Sequence, residues 1–158
     1  MIVVDLFQEL QILLDALRRG AVPHALCGGL ALAVHGFVRA TEDIDLLVEE
    51  SALAGLRSTV APLGYRFDPV PKSFQNGQVI IFRLLKTAGK DFVLLDVLLV
   101  TPATQFAWDT RREFPTDFGP VTVASPAGLI HLKNLRRSGQ DQDDIRQLQS
   151  LLDEPPAA

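Results

Sequence analysis

Two aspartates separated by a single residue stand at the head of an apolar segment. Asp43 and Asp45 flank Ile44, and the next three residues are leucine, leucine and valine. Because side chains alternate between the faces of a strand, both carboxylates should lie on one face and Ile44 on the other. Adjacent carboxylates repel each other unless a cation lies between them, and magnesium takes oxygen ligands while leaving room for phosphates. The pattern predicts a metal site, and the alternative is a solvated strand end.

A glycine pair precedes the aspartates. Gly28 and Gly29 follow the short segment 24–27 and lead into an almost wholly apolar segment. A strand that runs into two glycines and then a helix presents backbone N–H groups to an anion. The pair therefore predicts a phosphate site, and the alternative is a helix start that needs small residues for close packing.

A third carboxylate lies within a strongly apolar stretch. Asp96 has four apolar residues on either side, which is a costly environment for a charge. It either completes the metal site or forms a buried ion pair with an arginine. Asp91 is the competing acid, but an odd separation of five residues puts it on the opposite face of a regular strand. We therefore assign the third position to Asp96.

These motifs resemble the nucleotidyltransferase superfamily, whose fold is shared with polymerase β. The matching residues are Gly28-Gly29, His35-Gly36 and Arg39-x-Thr41-x-Asp43-Ile44-Asp45, followed by the later acid Asp96. Their combination is most similar to the small bacterial branch, which includes abortive-infection toxin-like proteins and antibiotic nucleotidyltransferases. The chain departs from the common Gly-Ser form of the glycine motif. Backbone donors must then replace the serine hydroxyl, or triphosphate binding is weaker.

The resemblance implies an enzyme that transfers a nucleoside monophosphate from a nucleoside triphosphate such as ATP to an acceptor hydroxyl, releasing pyrophosphate. It assigns two magnesium ions and catalysis to the three aspartates Asp43, Asp45 and Asp96, with Asp96 as the candidate general base. The nucleotide-binding residues that it implies are Gly28, Gly29, Arg39, Thr41 and Lys133.

Several of these assignments have alternatives. Arg39 could clamp phosphate or pair with an aspartate of the site, and Thr41 could simply cap the entry to the strand. Lys133 lies beside apolar residues in a predicted helix, where it could extend along the surface to reach water. His35 follows an apolar run and is interpreted as a packed histidine, and Cys27 and Trp108 as packing residues.

Two other functions stay open. The chain could be a toxin-like nucleotidyltransferase acting on transfer RNA or protein within a toxin–antitoxin pair, or a catalytically inactive nucleotide- or partner-binding module. A toxin-like member would use basic contacts, for which the candidates are Arg18, Arg19, Arg111, Arg112, Arg136 and Arg137. The acceptor (small molecule, transfer RNA or protein) and the base preference are not specified by the sequence. A second copy of the chain or an antitoxin are the candidate protein partners.

Composition indicates a cytoplasmic protein without a membrane segment. The chain has 158 residues, 47% of them hydrophobic and 22% charged, which is ordinary for a globular domain. Its formal net charge of −4 gives no global basic field for nucleic acid. The single Cys27 excludes an internal disulfide and fits a reducing compartment. No apolar run reaches the ~18 residues of a membrane span.

The resemblance, together with the predicted elements, implies an α/β (α+β) nucleotidyltransferase fold. We expect a mixed, partly antiparallel sheet with helices mainly on one face, in a single domain over residues 1–153 with a disordered Pro/Ala tail at 154–158. Predicted helices cover 2–19, 30–37, 51–64, 126–137 and 141–152. Predicted strands cover 24–27, 44–48, 65–68, 79–86, 92–100 and 121–123, with a hairpin turn at 87–90. Residues 69–76 are predicted to be a loop, and residues 101–117 a loop or lid.

Overall fold

The computed structural model describes residues 5–37, 41–67, 70–136 and 139–153. The helices within these ranges are α1 (Leu6–Arg19), α2 (Gly28–Val34), α3 (Leu53–Val60), α4 (Gln105–Asp109), α5 (Pro126–Arg136) and α6 (Gly139–Asp153). The strands are β1 (Ala25–Cys27), β2 (Asp43–Val48), β3 (Arg66–Phe67), β4 (Lys72–Phe74), β5 (Val79–Ala88), β6 (Asp91–Leu99), β7 (Arg112–Thr116) and β8 (Gly119–Val123). Short 3-10 turns at Glu50–Ala52 and Ala61–Leu63 flank α3.

All eight strands of the described ranges belong to one mixed sheet. Its order is β3-β5-β6-β2-β1-β8-β7, and β4 pairs with β5 outside this path. The central strand β2 runs parallel to β6 and antiparallel to β1, while β5 and β6 form a long antiparallel hairpin. The predicted fold class, a mixed and partly antiparallel sheet combined with helices, is confirmed.

The two faces of the sheet differ in burial. Along β6, Val93, Leu95, Val97 and Leu99 are at most 5% exposed, whereas the residues between them are partly exposed. In β2, Ile44 belongs to the buried face and is fully buried. Leucines of α1 and α2 and the apolar face of α3 join the same core cluster. The other face is therefore the one left open for a site.

Two helix starts follow the capping rules. Asp5 caps α1, its carboxylate accepting the backbone N–H of Gln8 at 3.1 Å. Ser125 caps α5 as predicted, because its hydroxyl accepts the backbone N–H of Gly128 at 3.0 Å. The Ser125 hydroxyl also lies 3.1 Å from that of Thr110, which joins the start of α5 to the end of α4.

The predicted loops contain regular structure, and this part of the prediction was wrong. Residues 101–117 form α4 and β7 rather than a lid, since β7 pairs with β8 from Arg112–Val123 to Thr116–Gly119. Residues 72–74 form β4 on the outer side of β5. Both strands are short, and β4 is exposed throughout, so neither shows the hydrophobic alternation that identifies a strand in a sequence.

Some predictions fall on residues that lie outside the described ranges. They concern the tail at 154–158, the first residues of the helix predicted at 2–19, and Arg39 and Arg137. Within the described ranges, no helix combines the length and apolar composition that crossing a lipid bilayer would need.

Candidate active site

Four residues form one row across the centre of the sheet. Asp45 of β2 lies opposite Asp96 of β6 in the parallel register and opposite Cys27 of β1 in the antiparallel one. Asp96 in turn lies opposite Arg83 of β5. Side chains of residues directly opposite each other project from the same face, so the two carboxylates and the guanidinium share the open face.

The remaining acids are placed as strand alternation requires. Asp43 lies two residues before Asp45, opposite Leu94, and so belongs to the same face. Asp91 lies opposite Ala88 at the hairpin end of β6, and its odd separation from Asp96 puts it on the other face. The three carboxylates selected from the sequence thus share a face, and the competing acid does not.

Arg83 holds Asp96 in a two-point ion pair. Its Nε donates to Asp96 Oδ1 at 2.8 Å and its Nη2 to Oδ2 at 3.0 Å. The side chains are 37% and 13% exposed, respectively, so the pair is sheltered but open to the cleft. The pKa of Arg83 is raised by the hydrogen bond to Asp96, against a smaller opposing effect of burial, and by the charges of Asp96, Asp43 and Asp45. The negative charges of all three carboxylates therefore stabilise the charged form of Arg83.

The row lies at the base of a cleft with a volume of about 400 Å³. Helix α5 forms one wall and the β4–β5 hairpin another, and the hairpin is tied to α5 by the Gln75 amide, which donates to the Leu135 carbonyl at 3.0 Å. The charged residues of the lining are Asp45, Lys72, Arg83, Asp96 and Lys133. Cys27 and Gly28 line the cleft as well, and most of the remaining lining is apolar.

The glycine pair packs directly against the site. Gly28 has φ +70, and a Cβ placed there would lie 2.1 Å from Asp45 Oδ2. A Cβ at Gly29 would lie 2.8 Å from the Thr41 hydroxyl, which donates to the Asp43 carbonyl at 3.4 Å. Gly28 is therefore required for close packing, the alternative that the sequence left open, whereas a side chain at Gly29 would press on Thr41, which contacts the entry to β2. A phosphate role for the pair stays a prediction.

His35 is a packed histidine, as interpreted from the sequence. Its Nε2 donates to the Ala124 carbonyl at 2.9 Å, and its ring meets Phe114 edge-on at 5.3 Å between centroids. Burial lowers its pKa, and the charge of Arg112 lowers it further, although the hydrogen bond to Ala124 opposes the shift. The neutral imidazole thus joins the end of α2 to the segment before α5.

Three of the arginines proposed as basic contacts have local partners. Arg18 and Arg19 lie 3.9 and 2.7 Å from the carboxylate of Asp15. Arg111 stacks on buried Trp108, with 3.7 Å between its guanidinium carbon and the ring centroid. Of the two others at the C-terminal side, Arg137 lies outside the described residues and so does the side chain of Arg136.

The chemical type of the ligand atoms at this site fits a divalent cation. Carboxylate oxygens are the ligands that magnesium prefers, and Asp45 and Asp96 are direct neighbours on one face. Across the described residues, no three side chains from His, Cys, Asp and Glu already converge on a single metal position. Both oxygens of Asp96 are engaged by Arg83. A cation that joins the three carboxylates would therefore compete with Arg83 for the oxygens of Asp96.

Sequence reasoning missed Arg83 and Lys72. A signal for Arg83 existed, because it is an arginine within an apolar strand facing an aspartate within another apolar strand. A two-residue turn at Gly89-Lys90 would have paired the two positions by counting back along the hairpin. Lys72 lies on β4, which the sequence did not predict, and it had no comparable signal.

No protein-family profile matches the sequence, and no curated protein matches it. Solved structures do match. One is ANT(2'')-Ia in complex with adenylyl-2''-tobramycin (TM-score 0.65, 16% identity, 94% of this chain and 90% of that one). Another is the lincosamide antibiotic adenylyltransferase LnuA with bound lincomycin (TM-score 0.66, 16% identity, 94% and 98%). A third is a Thermotoga maritima protein whose assignment as a nucleotidyltransferase is itself provisional (TM-score 0.61, 14% identity, 96% and 93%). The chain therefore has the nucleotidyltransferase fold.

Proposed function

We propose that the protein transfers a nucleoside monophosphate from a nucleoside triphosphate to an acceptor hydroxyl. The observation that carries the proposal is the placement of Asp45 opposite Asp96 at the base of a cleft that Gly28 and Lys133 also line. In this reaction the acceptor oxygen bonds to the α-phosphorus, the bond from that phosphorus to the β-phosphate oxygen breaks, and pyrophosphate leaves.

The carboxylates of the cleft suit activation of the acceptor hydroxyl, and its basic side chains suit binding of the phosphates. Asp96 faces the cleft and is the candidate to accept the proton of the acceptor hydroxyl. Lys72, Arg83 and Lys133 supply positive charge for the phosphates from three different elements. Bound magnesium, held by Asp43, Asp45 and Asp96, would neutralise phosphate charge and lower the pKa of the acceptor hydroxyl.

The acceptor that we propose is a small molecule, and the donor is ATP. The cleft volume of about 400 Å³ falls in the range of small-molecule sites. Two proteins of the same fold, ANT(2'')-Ia and LnuA, are known in complex with an adenylylated or free antibiotic. The formal net charge of −4 also favours this acceptor over transfer RNA, whose binding relies on cations at its phosphates.

An inactive nucleotide-binding module is the second candidate, and one observation favours it. The proposed base, Asp96, is held at both oxygens by Arg83, which competes with a metal or an acceptor hydroxyl for the same oxygens. The glycine motif also lacks the serine of its common form. Such a module would bind magnesium and triphosphate without turning over.

The test is a transfer assay with a matched pair of variants. Purified protein is incubated with magnesium, each of the four common triphosphates labelled at the α-phosphate, and separate panels of hydroxyl-bearing antibiotics and transfer RNA. We expect pyrophosphate release and a labelled small-molecule product with wild type and with Asp91→Asn, whose carboxylate lies on the other face. Asp45→Asn should lose at least a hundredfold in rate, as removal of one charged group at a reacting centre commonly does.

The outcomes separate the candidates. Equal rates for Asp45→Asn and wild type would refute the proposed site. Tight binding of magnesium and triphosphate without transfer to either panel would favour the inactive module. Label appearing on transfer RNA alone would refute the small-molecule acceptor and keep the reaction.

A further inference from the structure

The ion pair between Arg83 and Asp96 occupies the position at which a nucleotidyltransferase would need a free carboxylate. Both oxygens of Asp96 accept from the guanidinium, at 2.8 and 3.0 Å. The pair lies on the row that includes Asp45, and both residues line the cleft. The inference that follows rests on the proposed function, since it concerns the ligands of the same cleft.

We propose that Arg83 is an exchangeable counter-charge, which holds Asp96 until a polyphosphate takes over the guanidinium and a divalent cation takes over the carboxylate. The ion pair is then one of two states of the site. In the other state, Arg83 contacts the phosphates of the incoming triphosphate, and Asp96 joins Asp43 and Asp45 around the cation.

The chemistry of the guanidinium permits this exchange. Its planar fork binds carboxylate and phosphate with the same two-point geometry, so the hydrogen bonds lost at Asp96 are recovered on phosphate oxygens. Arg83 is 37% exposed and lines the cleft, so a ligand that enters can reach it without unfolding the sheet. A lysine at this position would offer one point of contact rather than a fork.

The burial of Asp96 couples the two halves of the exchange. Its side chain is only 13% exposed, and a carboxylate so sheltered is destabilised when its counter-charge leaves. Arg83 should therefore depart only when a cation arrives, and the cation should bind well only when Arg83 has another anion to contact. By linkage, the polyphosphate and the cation must increase each other's affinity by the same factor.

A purely structural ion pair gives a different expectation. It would join β5 to β6 and contribute to stability, and its removal would lower the melting temperature without changing the affinity for a metal. Metal affinity in the absence of nucleotide therefore distinguishes the two roles, and it needs no catalytic turnover.

The experiment measures manganese binding to the full-length protein by electron paramagnetic resonance. We expect Arg83→Gln to bind manganese alone about tenfold more tightly than wild type, because the cation no longer displaces an arginine; tenfold corresponds to about 1.4 kcal/mol. The matched control is Arg66→Gln, which removes the same charge from the neighbouring strand β3, where the side chain is exposed. Its affinity should stay within twofold of wild type.

A second arm measures the coupling by calorimetry. The manganese–tripolyphosphate complex, formed before the titration, should bind wild type at least tenfold more tightly than manganese alone. In Arg83→Gln this advantage should shrink several-fold, because the anion has lost its guanidinium. Arg83→Lys should retain part of it.

A double variant keeps the result interpretable. Arg83→Gln leaves a sheltered carboxylate without its partner, so circular dichroism must first show that the variant is folded. In Arg83→Gln/Asp96→Asn the gain in manganese affinity should disappear, since the carboxylate that provides it has gone. Persistence of the gain would overturn the proposal, because the metal would then be bound elsewhere.

The exchange proposed for Arg83 and the proposed nucleotidyl transfer are refuted by different results. If a folded Arg83→Gln binds manganese within twofold of wild type while all variants bind the manganese–tripolyphosphate complex, Arg83 is structural and the proposed function survives. If no variant binds either manganese or the complex, both are refuted.

Discussion

Gly28→Ala should damage the site more than the fold. The residue has φ +70, a left-handed conformation that side chains other than glycine rarely adopt. It also lies against the carboxylate whose position the proposed function depends on. A Cβ there would approach Asp45 Oδ2 at 2.1 Å, Cγ at 2.7 Å and Cβ at 2.9 Å. Because even the Asp45 Cβ is too near, rotation of the carboxylate alone does not relieve the contact.

The expected loss of stability has two parts. The left-handed conformation costs an alanine about 1–2 kcal/mol. Displacing the Asp45 side chain from its rotamer adds roughly 0.5–1.5 kcal/mol, and the shift of its Cβ adds to this. The free energy of unfolding should therefore fall by at least about 1.5–3.5 kcal/mol.

Gly89→Ala is the matched control. Gly89 has φ +65 at the tip of the β5–β6 hairpin, and a Cβ placed there would meet nothing within 4 Å. This variant pays the backbone cost alone, about 1–2 kcal/mol. The effect of an added methyl group on the unfolded chain is common to both variants and cancels in the comparison.

Urea denaturation followed by circular dichroism measures both losses. A thermal-shift assay with magnesium and ATP then tests the site, and Gly28→Ala should lose the stabilisation by these ligands while Gly89→Ala keeps it. If Gly28→Ala is as stable as Gly89→Ala and responds equally to the ligands, the Asp45 carboxylate does not lie where the structure places it, and the packing argument is refuted.

Three further predictions concern single side chains. Asp45→Asn should abolish the stabilisation by magnesium and ATP, about 2.7 kcal/mol at 100 times the dissociation constant, without lowering the melting temperature of the free protein; an unfolded variant would show that the aspartate is structural. Lys133→Met should raise the Michaelis constant for triphosphate at unchanged turnover, and unaltered steady-state kinetics would leave the lysine a surface role. His35, whose pKa is lowered in the folded protein, is protonated more readily in the unfolded chain, so stability should fall as the pH drops below about 6.5. The urea midpoint of His35→Gln should change less between about pH 7.5 and pH 5 than that of wild type, and an equal change would contradict this origin.

The aspartates of the candidate site could be predicted from the sequence because the signals that identify them are local. The spacing of Asp43 and Asp45 determines their common face without knowledge of any other strand. Asp96 stands out because its own neighbours are apolar. The hydrophobic periodicity of the longer elements likewise sufficed for the main helices and strands, whereas the mixed arrangement of the sheet was expected from the family resemblance.

Two basic residues of the cleft, Arg83 and Lys72, could not be predicted in this way because their positions depend on strand pairing. Arg83 acquires its partner only through the register of β5 with β6, and Lys72 reaches the cleft only because β4 adds to the outer side of β5. Strand β4 is three exposed residues long, so its sequence carries no periodic signal. Which residues face each other across two strands depends on the register of those strands. In a hairpin the length and type of the turn set that register, so such contacts can be predicted only once the turn has been assigned.

Two independent registers meet at Asp96. The hairpin turn after Ala88 sets the antiparallel register that brings Arg83 opposite it, whereas the parallel register with β2 brings Asp45 opposite it. The parallel register continues beyond the strands through the Val100 N–H, which donates to the Val48 carbonyl at 2.8 Å. A slip of one residue in either pairing would separate Asp96 from one partner, and a slip in β6 relative to the core would turn it toward the buried face. The carboxylate thus lies between Asp45 and the guanidinium of Arg83, and in the exchange that we propose only side chains need to move for a cation shared with Asp45 to replace the guanidinium.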